Sequence, residues 1–160
     1  MAGGIDKKAV VDALRARVAA DLDAAITSQR DAQAGATHEE ARPEGDKDTR
    51  ATEASYVARG LAQRVADLQE AASLLANMLV RRFGEDDVVA VSAVVTCEDE
   101  NGAECLYFIA PAGGGIKLAV GGQTLGVITP ASPLGRVMLG KRAGDDVELR
   151  GRELSIVLVA

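Results

Sequence analysis

Two long segments with a helical repeat of apolar residues flank a short charged segment near residues 38–53. The first, from about Asp6 to about Thr37, carries its repeat on Val11, Leu14, Val18, Leu22 and Ala25. The second repeats in alternating steps of four and three through Ala54, Ala58, Leu61, Val65, Leu68, Ala72, Leu75 and Leu79. Such steps place side chains on one helix face and form a heptad seam. We therefore predict an antiparallel coiled-coil hairpin over residues 1–83, with an acidic tip near 38–53.

The charged segment has the residues of a bend. Pro43 breaks a helix, and Gly45 tolerates a positive φ. Asp46 or Asp48 can cap the second helix, because a carboxylate accepts hydrogen bonds from the free N–H groups of a first turn. The seam side chains become smaller toward this bend in both segments, so burial per turn should be least there. Taken alone, its acids are most simply interpreted as a solvated turn.

From residue 84 to residue 160 the pattern changes to short β-branched runs separated by turn residues. Strands are predicted within Val88–Thr96, Ala103–Ala110, Ile116–Val120, Gln123–Thr129, Asp146–Arg150 and Glu153–Val159. Ser132 at a cap and Pro133 at a first helical position predict a short helix within Pro130–Leu139. We expect an α+β protein whose second domain, residues 84–160, is a small and mostly antiparallel sheet with one short helix.

Charge and aromatic content argue against several functions. The formal net charge is −6, and duplex DNA binding depends on Lys and Arg, so such binding is not expected as the main role. Two Phe, two Tyr and no Trp leave few rings to stack on single-stranded nucleic acid or to line a ligand pocket. Contact with a basic protein surface is compatible with the charge.

Cysteine use and hydropathy predict a compartment. Cys97 and Cys105 are too few for a disulfide framework and lack nearby partners for a zinc site, so we expect reduced thiols in a strand pair. The first residues lack an apolar signal core, and no run reaches the roughly 18 apolar residues of a membrane span. We expect a cytoplasmic monomer without a membrane partner.

The segment Thr129–Val147, TPASPLGRVMLGKRAGDDV, resembles the C-terminal domain of the Gre family of bacterial transcription elongation factors. That family carries a Ser-Pro step, a short helix, a Leu-Gly-Lys run and an acidic turn into a strand. Glu40-Ala41-Arg42 followed by Gly45-Asp46 resembles the tip of the family's hairpin, and Tyr56 with Ala58-Arg59 resembles the start of its descending helix. The resemblance implies that the second domain is FKBP-like.

The resemblance also implies a function. The globular domain would dock at the rim of the secondary channel of core RNA polymerase, through Ser132, Pro133 and Arg136. The hairpin would reach the active centre and the 3′ end of the nascent RNA. There Asp46 and Asp48, with Thr49, would help to hold a Mg²⁺ shared with the polymerase, since carboxylates are hard oxygen ligands suited to this ion. The protein would bind no cofactor alone and would not itself be an enzyme.

Three basic residues of the same segment have two interpretations. Arg42, Lys47 and Arg50 either contact nucleic-acid phosphates or neutralise their acidic neighbours. Both alternatives are equally compatible with the sequence.

The tip departs from the family pattern at one position. Its run Asp46-Lys47-Asp48-Thr49-Arg50-Ala51 has Thr49 where Gre factors have a second acid, and it is similar to the tip of DksA-type regulators as well. A hydroxyl is a weak Mg²⁺ ligand, so we expect weak transcript cleavage or none. The alternatives are a non-cleaving, DksA-like or anti-Gre, channel regulator and, in another class, an FKBP-like peptidyl-prolyl isomerase or chaperone. The few rings, Tyr107 and Phe108, argue against the isomerase.

Overall fold

The structure is a computed structural model that describes residues 4–40 and 47–160, without the side chains of residues 36–40, 47 and 48. Two long helices come first, α1 at Lys7–Glu40 and α2 at Lys47–Ala76. Strands β1 to β6 follow, with one short helix, α3, at Pro133–Met138 between the fourth and fifth strands. The predicted class is confirmed: two coiled-coil helices precede a mostly antiparallel sheet that carries a short helix.

The chain divides into two compact units. The helical unit is Ala16–Ala72, and the globular unit combines the start of α1, up to Arg15, with Ser73–Ala160. The helix ends next to the globular part thus belong to the globular unit. The division at residues 83 and 84 in the sequence stays a prediction.

In the helical unit the predicted seam is buried. Val18 and Ala25 of α1 are buried, as are Val65 and Leu68 of α2, while Leu22 and Leu61 are half-buried. These positions recur at the helical spacing that the sequence predicts, because each helix buries one apolar face. Burial weakens toward the charged segment as predicted, since Ala58 is exposed.

The start of α1 and the end of α2 meet in the globular unit. The Arg15 guanidinium donates two hydrogen bonds to the Leu75 carbonyl oxygen, at 2.8 and 3.0 Å. This contact joins the beginning of one helix to the end of the next, so the helices are antiparallel. A cation near the carbonyls of a last turn also stabilises the helix end. The helix stops at Ala76, and Leu79, which the heptad pattern assigns to the seam, is 83 % exposed beyond it. That part of the prediction is wrong.

The sheet has the strand order β3-β4-β2-β1-β6-β5. The strands, in chain order, are Val94–Asp99, Glu104–Ile109, Lys117–Val120, Gln123–Ile128, Asp146–Leu149 and Arg152–Val159. All neighbours are antiparallel except β2 and β4, which run parallel because the chain passes through β3 between them. The short strands and their turns match the predicted ranges closely, apart from β1.

The β1 run starts later than its β-branched residues suggest. A strand was predicted within Val88–Thr96, but pairing begins at Val94. Ser92 has φ 74°, a left-handed conformation that interrupts an extended chain. Its buried hydroxyl accepts a hydrogen bond from the Arg81 N–H at 2.9 Å, so this residue anchors the segment that leaves α2.

Each face of the sheet is covered. On one face, α3 packs over a core that includes Val95, Cys97, Ile109, Met138 and Ile156. On the other face, Phe108, Leu118, Leu125 and Val127 are buried. The same unit contains the fully buried Val10, Leu14 and Leu75 of the helix ends. Leu14 lies close to Gly113, beside the sheet, and we infer that the helix ends cover this second face.

Candidate functional site

The segment with the family resemblance forms the start of α3. Ser132 is the N-cap, and its Oγ accepts a hydrogen bond from the Gly135 N–H at 3.0 Å. The same hydroxyl donates to the Thr129 carbonyl oxygen at 2.7 Å, which fixes its orientation. Pro133 occupies the first helical turn, where its missing N–H costs nothing. The predicted cap is confirmed.

Gly135 is required by a close approach of the backbone. A Cβ at this residue would lie 1.9 Å from the Thr129 carbonyl oxygen and 2.9 Å from the Ser132 Oγ. No side chain fits there without moving the turn that precedes α3. The Ser-Pro-Leu-Gly run therefore specifies one tight turn, in which Gly135 cannot be replaced by a residue with a side chain.

The predicted docking residues lie together at this turn and differ in exposure. Pro133 and Arg136 are exposed, and Ser132 is half-buried because its hydroxyl is engaged in the cap. Arg136 lies in the last turn of α3. The structure thus brings all three to one short helix, with a rigid surface turn on which Arg136 supplies positive charge.

Most of the predicted tip residues lie outside the part of the chain whose side chains the structure describes. Arg42 and Asp46 lie outside the described residues, as do the side chains of Lys47 and Asp48, although Lys47 begins α2. Thr49 and Arg50 are exposed on the first turns of α2. No contact between the tip acids is therefore described, and their assignment stays a prediction.

A surface on α2 was not singled out as functional by the sequence analysis. Tyr56 is 68 % exposed, and it lines a shallow depression with Ala51, Thr52, Ser55 and Arg59. An exposed ring beside a cation is a common feature of contact surfaces. The available signal was the position of Tyr56, which falls outside the heptad seam.

The described side chains contain no cluster of three or more His, Cys, Asp or Glu residues arranged to hold a metal ion. The two acids that the resemblance assigns to Mg²⁺, Asp46 and Asp48, fall outside that part of the chain. Thr49 is described and offers only a neutral hydroxyl.

A cavity of about 340 Å³ opens on the α3 side of the sheet. It is lined by Asp99, Glu100, Asn101, Cys105, Tyr107, Leu134, Leu149, Gly151, Arg152, Glu153 and Leu154. Tyr107 is its only aromatic residue, because Phe108 is buried on the opposite face. A single ring does not form the aromatic pocket that a proline ligand would need, so the cavity gives no support to the isomerase alternative.

Burial changes the acidity of groups around this cavity. Desolvation raises the pKa of Cys97 to about 12, with a smaller contribution from Cys105. The pKa of Tyr107 is also raised, chiefly by burial and then by the neighbouring cysteines. Burial therefore favours the neutral form of both groups.

Comparisons with known proteins agree with the sheet and α3. Residues 84–158 match the family model described as transcription elongation factor, GreA/GreB, C-terminal. The matched range contains β1 to β5, the Ser132-capped helix and all of β6 except Val159. Residues 84–158 therefore form a domain of the GreA/GreB C-terminal family.

Two solved structures are similar over most of the chain. GreA factor homolog 1 (Gfh1) of Thermus thermophilus is 21 % identical, with 91 % of this chain and 94 % of that chain covered and a TM-score of 0.40. Gfh1 of Thermus aquaticus is 19 % identical, with 92 % and 94 % covered and a TM-score of 0.38. At these scores the likeness supports no argument about arrangement or function. No curated protein matches the chain.

The helices were also compared with the requirements of a bilayer. Among the described residues, neither α1, α2 nor α3 combines the length and the apolar character that a membrane crossing requires.

Proposed function

We propose that the protein is a Gre-type elongation factor that binds core RNA polymerase at the secondary channel and presents its acidic tip to the active centre. The observation that carries the proposal is the family match over residues 84–158, which includes the capped helix α3. In this proposal the protein is not an enzyme. It influences backtracked complexes in the cytoplasm, acts as a monomer, and leaves RNA hydrolysis to the polymerase.

The docking part of the proposal rests on the turn at α3. Pro133 and Arg136 are exposed there, and the cap of Ser132 keeps the turn rigid. A preorganised surface loses little conformational freedom on binding, which favours recognition. The geometry therefore suits a fixed contact with the rim of the channel.

Docking is tested on the full chain, because the helix ends and the sheet share one compact unit. A hairpin cut at Phe83 would lack the sheet of that unit, which also contains the buried Leu14 and Leu75, so it could lose binding for reasons unrelated to docking. We expect Arg136→Glu to weaken binding to core polymerase about tenfold or more, since a charge at a contact is reversed. Lys117→Glu is the matched control, because Lys117 is exposed on β3 of the same domain. Equal binding by both variants would exclude the α3 turn as the docking surface.

The tip part of the proposal assigns each residue a role. Asp46 and Asp48 would supply carboxylate oxygens to a Mg²⁺ shared with the polymerase, which would activate the attacking water. Arg42, Lys47 and Arg50 would contact RNA phosphates near the 3′ end, or else neutralise these acids. The exposure of Arg50 is compatible with either role.

A second candidate is a channel regulator that does not cleave, and Thr49 favours it. This residue is exposed on α2, at the position where Gre factors have the second acid. One carboxylate fewer weakens the hold on a hard cation. Occupancy of the channel without cleavage would then be the main activity.

Transcript cleavage separates the two candidates. Purified protein is incubated with a stalled, backtracked elongation complex and Mg²⁺, and the RNA is resolved by length. We expect weak shortening or none with the wild type, loss of any residual shortening with Asp46→Asn, and a clear increase with Thr49→Glu. Strong shortening that survives Asp46→Asn would contradict both the residue assignment and the mechanism.

A further inference from the structure

The two cysteines lie directly opposite each other in the β1–β2 ladder. On either side of them, the Asp99 N–H bonds to the Ala103 carbonyl and the Ile109 N–H to the Ala93 carbonyl, both at 2.9 Å. Hydrogen-bonded pairs alternate every second residue in an antiparallel ladder, which makes Cys97 and Cys105 such a pair. Their side chains therefore project from the same face, with Cα atoms roughly 5.5 Å apart.

This spacing is compatible with a disulfide. Disulfides join residues whose Cα atoms are roughly 4.4–6.8 Å apart, and this pair lies within that range. The Cβ atoms of a hydrogen-bonded pair are roughly 5.5 Å apart, whereas a disulfide holds them at about 3.5–4.5 Å. The ladder must therefore tighten by about 1 Å, and the disulfide would be strained and readily reduced. The pairing of β1 with β6 shifts register between Thr96 and Cys97, an irregularity that lets the strand twist locally. Both thiols are free in this structure.

The two thiols differ in access. Cys105 is half-buried and lines the cavity of about 340 Å³, whereas Cys97 is fully buried behind it. Tyr107 lines the same cavity as Cys105. A reagent that enters the cavity therefore meets Cys105 first.

We propose that Cys97 and Cys105 form a redox site at which a low-molecular-weight disulfide entering the cavity is reduced and the two thiols become joined across the β1–β2 ladder. In the first step the Cys105 sulfur, losing its proton, attacks the disulfide, forms a mixed disulfide and releases one small thiolate. In the second step the Cys97 sulfur gives up its proton, attacks Cys105 and releases the second small thiolate. Because burial raises the pKa of Cys97, this step is the slower one and becomes faster as pH rises. The two protons end on the two released thiols, so two protein thiols are oxidised and one disulfide is reduced. This inference does not rest on the proposed function.

The charges around the cavity select among such reagents. Its lining includes Asp99, Glu100 and Glu153 but only one cation, Arg152. Carboxylates near an opening attract cations and repel anions. A cationic disulfide should therefore enter faster than an anionic one, with a difference that salt reduces.

The first test uses the folded wild-type chain. After treatment with cystamine, we expect the intact mass to fall by two hydrogens, the reaction with N-ethylmaleimide to be lost, and peptide mapping to link Cys97 to Cys105. Cystamine should react about three- to tenfold faster than oxidised glutathione at low salt. A persistent mixed disulfide, a disulfide-linked dimer or faster reaction of glutathione would overturn the proposal.

Two variants separate the steps. Cys97→Ala should stop the reaction at a stable mixed disulfide on Cys105, and Cys105→Ala should give no adduct while folded. Because alanine at residue 97 removes a core contact, the order of reactivity is also measured on wild type by brief alkylation and peptide mapping. Label on Cys105 before Cys97 is expected. Equal labelling of the two cysteines would contradict the cavity as the route of entry.

Discussion

The turn before α3 in the globular unit and the first turns of α2, residues 49–60, differ in how tightly their side chains are packed. In the globular unit, Gly135 has no room for a Cβ and Ser132 is held by two hydrogen bonds. From residue 49 to residue 60 of α2, every residue except the half-buried Ala54 is exposed. Changes at Gly135 and Ser132 must therefore disturb packing. Side chains in the second region can change with little cost, which leaves them available for contacts with a partner.

The largest expected effect comes from a glycine in the globular unit. Gly135→Ala should lower the free energy of unfolding by about 4 kcal/mol or more, because the new Cβ collides with a backbone carbonyl. Urea denaturation followed by circular dichroism measures it. The control is Gly60→Ala, since nothing lies within 4 Å of a Cβ at that helical residue. It should stabilise the protein by roughly 0.5–1 kcal/mol. A similar decrease in the free energy of unfolding for both variants would show that the two regions are packed equally tightly.

High pH should test the core around Cys97. Its pKa is raised from 9.0 to about 12 in the folded chain, so the unfolded chain loses the proton first. The stability that the buried, protonated thiol of Cys97 contributes is therefore fully present below the pKa of the unfolded chain. It is lost as pH rises toward the pKa of the folded chain. Between about pH 8 and about pH 11 this group should cost roughly 2–3 kcal/mol. The free energy of unfolding of wild type and of Cys97→Ala is measured by denaturation at both pH values. The difference between their two losses gives the contribution of Cys97, because the two proteins share all other titrating groups. Equal losses would show that Cys97 is not protected from solvent.

The cap of α3 should have an intermediate effect. Ser132→Ala removes the oxygen that accepts from the Gly135 N–H, which should cost about 1 kcal/mol. Thermal unfolding measures it. Ser132→Asp restores an acceptor at the cap and should recover part of the lost stability. If it does not, the hydrogen bond from the Ser132 hydroxyl to the Thr129 carbonyl contributes more stability than the cap.

The smallest effect on stability is expected at the tip. Thr49→Glu and Asp46→Asn should each change the free energy of unfolding by less than about 1 kcal/mol, because exposed residues and single caps contribute little. Their effect should appear in transcript cleavage instead. A large loss of stability with Thr49→Glu would show that this turn of α2 is more tightly packed than its exposure indicates.

Local signals predicted most of the fold. Ser132 and Pro133 identify the start of α3, and alternating steps of three and four identify the seam, because each pattern is decided by neighbours in the chain. Two failures have distant causes. The last turn of α2 is bonded by Arg15, sixty residues away, and Ser92 leaves the strand conformation while it binds Arg81. The parallel pairing of β2 with β4 likewise depends on the path through β3.

The candidate site was predictable to a different extent. The cap at Ser132 follows from the sequence and is confirmed. The docking role of Pro133 and Arg136, and the tip roles of Asp46, Asp48 and Thr49, rest on the family resemblance and stay predictions. The cavity beside Cys105 escaped the sequence analysis because its walls come from separate strands and from α3.

The composition of the globular unit has a consequence for how the chain is made. Leu14 is synthesised early, yet it is buried in the same unit as Leu125 and Ile156, which are synthesised late. Contacts that span so much of the sequence form slowly. On the ribosome, the first helix must therefore wait with its apolar start uncovered until the last strand has emerged. During that time it is a candidate for capture by a chaperone, whereas the helical unit can already pair.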